Sequence, residues 1–375
     1  MPFGRNKGFV GRESILSRLL SLIPPRVEPD ECQWTAVVGL GGVGKTQVAL
    51  EAAFRARESH PDCSVFWVPA VDAFSFENAY RKIGQLLMID GINEKDADAK
   101  MLVKTALSES SSSWLLIVDN ADNTDLLFDN DTGLINYLPS SWNGSILFTT
   151  RNREIISRLG IPEVNVVTVE EMSENEAMEL LRMYLDQSQM QDTELTKELV
   201  ESLGYLPLAV RQASAYMAKT RMPTSKYLEL CQSSDKNMIK LLSRNFEDRY
   251  RYKAVENSIA TTWLISFRDI EDHCPLAAEC LKFMSFLGQK DIPQTLLPPA
   301  DIIEIEEALG TLKAYAFISE REERSTYDMH RLVQLATLNW LTKEGDLNEW
   351  SSRTLQRLAE IFPFPEHENR DIWMG

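Results

Sequence analysis

Thr35-Ala36-Val37-Val38-Gly39-Leu40-Gly41-Gly42-Val43-Gly44-Lys45-Thr46 reads as a buried strand, a glycine-rich turn and the opening of a helix. Gly39, Gly44, Lys45 and Thr46 satisfy the phosphate-binding pattern G-x-x-x-x-G-K-[ST]. Phosphate oxygens need several donors close together, and glycines let a backbone turn its N–H groups inward. The following helix adds unpaired N–H groups and the positive end of its dipole. Lys45 supplies a point charge for the β- and γ-phosphates, and Thr46 a hydroxyl for Mg²⁺. Gln47 to Phe54 continues as good helix sequence. The candidate nucleotide contacts are Gly39, Gly41, Gly42, Val43, Gly44, Lys45, Thr46 and Gln47, and the ligand is a nucleoside di- or triphosphate.

Two further apolar runs carry the candidate catalytic residues, Asp119 and Arg151. Trp114-Leu115-Leu116-Ile117-Val118-Asp119 has the form of a central parallel strand ending in an acid. At a strand's carboxyl end Asp119 faces the phosphates and joins Thr46 as a metal-side residue, holding Mg²⁺ through water. Asn120 follows, where efficient phosphate-loop hydrolases place a water-polarising carboxylate; Asp122 is the nearest substitute. Ser145-Ile146-Leu147-Phe148-Thr149-Thr150-Arg151 is a third strand, apolar then polar then basic. By residue type alone Arg151 is a surface arginine like Arg153. Its place at a strand end makes it a candidate sensor of the γ-phosphate.

Around these runs, strands at Thr35–Val38, Ser64–Val68, Trp114–Val118, Ser145–Phe148 and Val166–Val169 alternate with helices near Lys45–Glu58, Phe76–Met88 and Asp96–Ser108. That alternation predicts an α/β parallel sheet covered by helices. Ahead of it lie a short helix near Arg12–Leu22 and a proline linker, Pro24 to Pro29. After it the chain turns helical. Ser173 and Glu176 form a capping box for Glu174–Leu185. Gly204 ends Thr193–Leu203, and Pro207 opens the next helix. Helices at Ala254–Phe267, Leu276–Leu287 and Ile302–Ala314 precede a hairpin, Phe317–Ser319 with Thr326–Met329, around the charged turn Glu320 to Arg324. His330–Leu341 closes that unit, which has the make-up of a winged helix. Trp350, Leu355, Leu358 and Ile361 then lie on one helical face. The expected domains are 1–160, a phosphate-loop (P-loop) nucleotide-binding domain; 161–250, a helical domain; 251–344, a winged-helix domain; and 345–375, the start of a helical, TPR-like repeat region, as if the chain were cut from a repeat-bearing protein.

Composition narrows the function. The 375 residues carry 56 acidic and 39 basic side chains, a net charge of −17. This acidity argues against a broad nucleic-acid-binding face. Cys32, Cys63, Cys231, Cys274 and Cys280 show no zinc spacing and read as reduced thiols. No secretory signal and no membrane-length apolar run are visible, which predicts a cytoplasmic protein.

In this order the segments resemble the NB-ARC family, the STAND-class P-loop NTPase switch of plant disease-resistance proteins, apoptotic protease-activating factors and fungal NOD-like receptors. The resemblance covers about residues 8–342. It rests on Phe9-Val10-Gly11-Arg12-Glu13, Gly39 to Thr46, Ile117-Val118-Asp119, Phe148-Thr149-Thr150-Arg151, Gly204-Tyr205-Leu206-Pro207-Leu208-Ala209 and Met329-His330-Arg331. Departures are Ile15 in place of Glu, Asn120 in place of a second acid and Arg331 in place of Asp. The resemblance implies ADP/ATP and Mg²⁺ as cofactors. It implies that Val10 and Arg12 face adenine, Pro207 packs near the base or ribose, and His330 touches the β-phosphate. It also implies a signalling switch of innate immunity, with ARC1-like helical and ARC2-like winged-helix domains. Such a switch is closed with ADP and self-oligomerises on exchange for ATP, with slow hydrolysis at most. Its partners are an N-terminal effector and C-terminal repeat domains of a longer protein. The competing readings are an active P-loop ATPase and a winged-helix, ATPase-linked transcription regulator.

Overall fold

Five strands form the sheet that carries the glycine turn: β1 (Gln33–Val38), β2 (Ser64–Pro69), β3 (Trp114–Asp119), β4 (Gly144–Thr150) and β5 (Val166–Thr168). All neighbours are parallel, in the order β2-β3-β4-β1-β5. Every residue of β3 and β4 is buried, which is why both read as near-continuous apolar runs rather than alternating ones. In register, Val38 of β1 lies beside Thr150 of β4, and Phe148 of β4 beside Val118 of β3. The carboxyl ends of β1, β3 and β4 therefore come level, bringing the glycine turn, Asp119 and Thr149 to one edge. Helices flank the sheet, among them Lys45–Ser59, Ala73–Leu86, Ala99–Ser108 and Arg153–Arg158.

The computed structural model describes residues 1, 4–23, 32–94, 96–233, 235–242, 259–321 and 325–362. The proline linker, the first residues of the helix expected from Ala254, the tip of the charged turn and the chain after Phe362 lie outside them. Two units are distinguished. The first holds Met1–Tyr184 with Leu206–Leu208; the second holds Leu185–Tyr205 and the described residues from Ala209 onward. The helix Glu174–Arg182, with its Ser173–Glu176 capping box, lies in the first unit.

Helix boundaries moved where a cap outvoted periodicity. Ala73–Leu86 starts three residues before the expected Phe76, because the Asp72 carboxylate accepts from Ser75 N. Ala99–Ser108 starts after Asp96, because Asp98 caps Lys100 N and Met101 N. Thr124–Phe128, Arg153–Arg158 and Thr224–Ser233 are helices that the sequence reading did not assign.

The second unit contains the helices Thr193–Ser202, Thr224–Ser233, Ile259–His273, Pro275–Met284, Ile302–Ala314, Arg331–Glu344 and Leu347–Ile361. It also contains a small antiparallel sheet of β6 (Ile292–Pro293), β7 (Ile318–Arg321) and β8 (Thr326–Met329), in the order β6-β8-β7. The hairpin was expected. The two-residue β6, half proline, is too short to show a strand period. Phe267 is buried in this unit, with its ring 5.1 Å from Phe317 and 5.4 Å from Trp340. Phe267→Ala is expected to cost about 3–5 kcal/mol through lost burial and a residual cavity, read as a shifted urea midpoint of the second unit's transition. The last helix buries only part of its apolar stripe. Trp350 and Thr354 are its buried residues, while Leu355 is 65% exposed.

Candidate functional site

The glycine turn is shaped by close packing. Gly42 and Gly44 sit at φ +96° and +97°, where a side chain is strained. A Cβ on Gly39 would lie 2.2 Å from the Val169 carbonyl oxygen, a backbone atom that cannot step aside. Gly39→Ala is therefore expected to cost about 2–3 kcal/mol, measured as a lowered thermal midpoint. Lys45 opens the helix and is buried. Its Nζ donates to the carbonyls of Gly39 at 2.8 Å and Leu40 at 3.2 Å. Burial pushes the ammonium down to about 7; Asp122 and Asp119 oppose the shift and Arg151 adds to it.

Asp119, fully buried at the end of β3, gathers hydroxyls. Thr46 Oγ1 donates to its Oδ1 at 2.9 Å and Thr149 Oγ1 donates to the same oxygen at 2.6 Å. Thr46 and Asp119, assigned together from separate stretches of sequence, are thus in direct contact. Thr149 was read only as part of its strand. It also accepts from Asn120 N at 3.0 Å, pinning the turn after β3. Asn120 occupies a left-handed conformation, φ +58°, tolerable for asparagine. The turn carries Asp122 back to the end of β4. There Asp122 Oδ1 accepts from Arg151 N at 2.7 Å and Thr150 Oγ1 at 3.3 Å, and Oδ2 pairs with Arg151 Nε at 3.1 Å. Both oxygens of the nearest substitute acid are thereby engaged with the candidate sensor segment.

The N-terminal motif packs against the same turn. Val10 is buried, and Arg12, expected inside a helix, is instead its N-cap at φ +63°. The Arg12 guanidinium donates to the carbonyls of Glu171 at 2.9 Å and Val43 at 3.5 Å. Its backbone N–H donates to Glu176 Oε1 at 2.7 Å. Glu176 therefore both caps its own helix and fixes Arg12. Gln47 Oε1 accepts from Asn6 Nδ2 at 2.9 Å, which ties the N-terminal segment to the phosphate-side helix.

Pro207 and Leu208 reach the turn as well. Leu208 N donates to Gly42 O at 3.2 Å, and a Cβ on Gly44 would lie 3.9 Å from Pro207 Cγ. His330 lies in the second unit, capping Arg331–Glu344. Its Nδ1 accepts from Leu332 N at 3.1 Å, which leaves the proton of the neutral ring on Nε2, 3.4 Å from the Gly204 carbonyl. Gly204, at φ +60°, leaves no room for a side chain; a Cβ there would lie 2.3 Å from His330 Nε2.

Comparison with known proteins follows the same lines. The NB-ARC domain profile matches residues 20–191. A nucleotide-binding leucine-rich repeat (NLR)-like protein of Hyaloscypha variabilis is 46% identical over 99% of this chain. The regulatory protein AfsR of Streptomyces griseus is 23% identical over 87% of it. The chain spans 39% and 32% of the length of these two relatives. Among solved structures, the Aeropyrum pernix ORC2 protein, determined as ADPNP–ADP complexes, aligns with a TM-score of 0.55 at 12% identity. The alignment covers 91% of this chain and 98% of that one. At that identity the likeness extends to the fold alone.

Proposed function

Because this chain belongs to the NB-ARC family, we propose that its NLR-like nucleotide-binding domain works as an ADP/ATP switch. The observation that carries this reading is the hydrogen bond from Leu208 N to Gly42 O. It joins the phosphate turn to the first turn of the helix Pro207–Thr220, which runs on from Ala209 into the second unit. A change in how Gly42, Val43 and Gly44 present their N–H groups is then felt at the start of that helix. A ligand that favours one arrangement of the turn favours the matching arrangement of the chain beyond it.

The residues suit the cofactors. Gly42 and Gly44 hold the turn at φ +96° and +97°, a backbone that a side chain would strain. Lys45 is the cation beside it. Thr46 Oγ1 and Asp119 Oδ1, in contact, are hard oxygen donors of the kind Mg²⁺ takes alongside phosphate oxygens. Mg²⁺ held there would offset the negative charge of bound phosphate. Val10 and Arg12 shape the adenine side, Pro207 lies toward the base or ribose, and Arg151 meets the terminal phosphate. His330, in the second unit, is the residue that the family resemblance proposes for the β-phosphate. Asn120 stands where a second acid would, and both oxygens of Asp122 are engaged with the Arg151 segment, so this reading takes hydrolysis as slow at most. On this reading, residues 1–160 bind nucleotide and 161–250 are the ARC1-like helical domain. Residues 251–344, with the β6-β8-β7 sheet, are the winged helix, and the helix Leu347–Ile361 begins a repeat region. Exchange of ADP for ATP opens the protein and lets copies assemble in the cytoplasm, joined to effector and sensor domains of a longer chain. Among the described residues, no helix is long and apolar enough to cross a membrane.

The test is direct. Mass spectrometry of the small molecules released from purified, denatured protein is expected to show ADP, and light scattering to show assembly only with an ATP analogue. Many fast turnovers per minute without assembly would establish an ordinary ATPase instead.

A further inference from the structure

We propose that Asp122 acts through Arg151 to bias the site toward the diphosphate. Its carboxylate clasps the arginine and offsets its charge, so a terminal phosphate must compete for the guanidinium. The proposal rests on Arg151 being the arginine that meets that phosphate.

Two observations carry it. First, the clasp is built. The left-handed Asn120, the bond from Ala121 N to Thr149 O at 2.9 Å and that from Asp122 N to Asn120 O at 2.9 Å fold the turn onto the end of β4. Asp122 then grips Arg151 at two points, its backbone N–H and its Nε. Second, the pair is sheltered: the side chains are 13% exposed for Arg151 and 24% for Asp122. A pair shielded to this degree interacts more strongly than one in open water, and its mutual neutralisation is correspondingly more complete. A second phosphate meets Lys45 and the turn; a third meets an arginine already matched to a carboxylate. The diphosphate forgoes little by this arrangement, whereas the triphosphate loses most of what Arg151 could offer.

The experiment titrates ADP and the non-hydrolysable analogue AMP-PNP, with Mg²⁺, into the 375-residue chain and three variants: Asp122→Asn, Arg151→Ala and the double. Asp122→Asn is expected to raise AMP-PNP affinity relative to ADP about 10-fold. The gain should shrink below about 3-fold when Arg151 is alanine. Asp122→Ser, which keeps an acceptor for the Arg151 N–H, replaces Asp122→Asn if that variant does not fold, and is read by the same ratio. An unchanged or lowered ratio with Arg151 present overturns the proposal, as does an equal gain without Arg151. If Arg151→Ala leaves the ratio unchanged even in the Asp122→Asn background, where the arginine's charge is no longer offset, Arg151 does not meet the terminal phosphate, and the underlying reading fails with the proposal. A plain structural role for Asp122 would move the melting midpoint but not this ratio.

Discussion

Lys45→Ala is expected to lower affinity for both ADP and ATP on the order of 100-fold, about 3 kcal/mol, the upper range for hydrogen bonds to a charged group. The loss has two sources. The phosphates lose their nearest buried cation, and the carbonyls of Gly39 and Leu40 lose the donor that draws the turn closed. Isothermal titration of both nucleotides measures it; ADP binding of ordinary strength in the variant would remove Lys45 from the site. The same lysine sets a pH dependence. With its ammonium held down to about 7 by burial, Lys45 is increasingly neutral above that value. An arriving phosphate restores the charge, so binding takes up a proton and affinity falls as pH rises from about 7 toward 9. Stability runs the other way. The lysine's folded pKa lies below its unfolded one, so the unfolded chain binds more protons between the two values, and the nucleotide-free protein gains stability from this group as pH rises through that window. Opposite slopes for affinity and for thermal midpoint are the expected signature, and proton uptake can be checked by calorimetry in buffers of different ionisation heat.

Asp119→Asn is expected to reduce Mg²⁺-dependent ATP affinity by about 10- to 100-fold while sparing most ADP binding without metal. Asp119 is fully buried, and its Oδ1 accepts from both Thr46 and Thr149. Asparagine keeps a carbonyl oxygen to accept those hydroxyls, so the fold survives. What disappears is the negative charge that would orient hydration water around the metal. Titrations with Mg²⁺ and with EDTA separate the two effects. Equal loss in both would mean that Asp119 serves as a structural acceptor for the two threonines.

The strands of the sheet were legible because central parallel strands are buried on both faces and read as unbroken apolar runs. β3 and β4 are the examples. The glycine turn was legible because phosphate chemistry restricts the residue types at each position. Helix ends were less so: Asp72 and Asp98 decide theirs by side-chain bonds to backbone N–H groups, which apolar periodicity does not register. Leu355 lies on the apolar stripe of the last helix yet is exposed where Trp350 is buried, because the neighbours available to cover a face are a tertiary matter.

By itself, then, the order of residues determined a phosphate-binding turn on a parallel α/β sheet and the succession of motifs shared with one family. Tertiary structure alone decided that Thr149 would share the Asp119 carboxylate, that Glu176 would hold Arg12, and that Asp122 would turn back to clasp Arg151. The physical reason is common to all three. Local chemistry restricts which residue can occupy a turn, whereas hydrogen-bond partners distant in sequence are chosen by the register of strands and the direction of the loops between them.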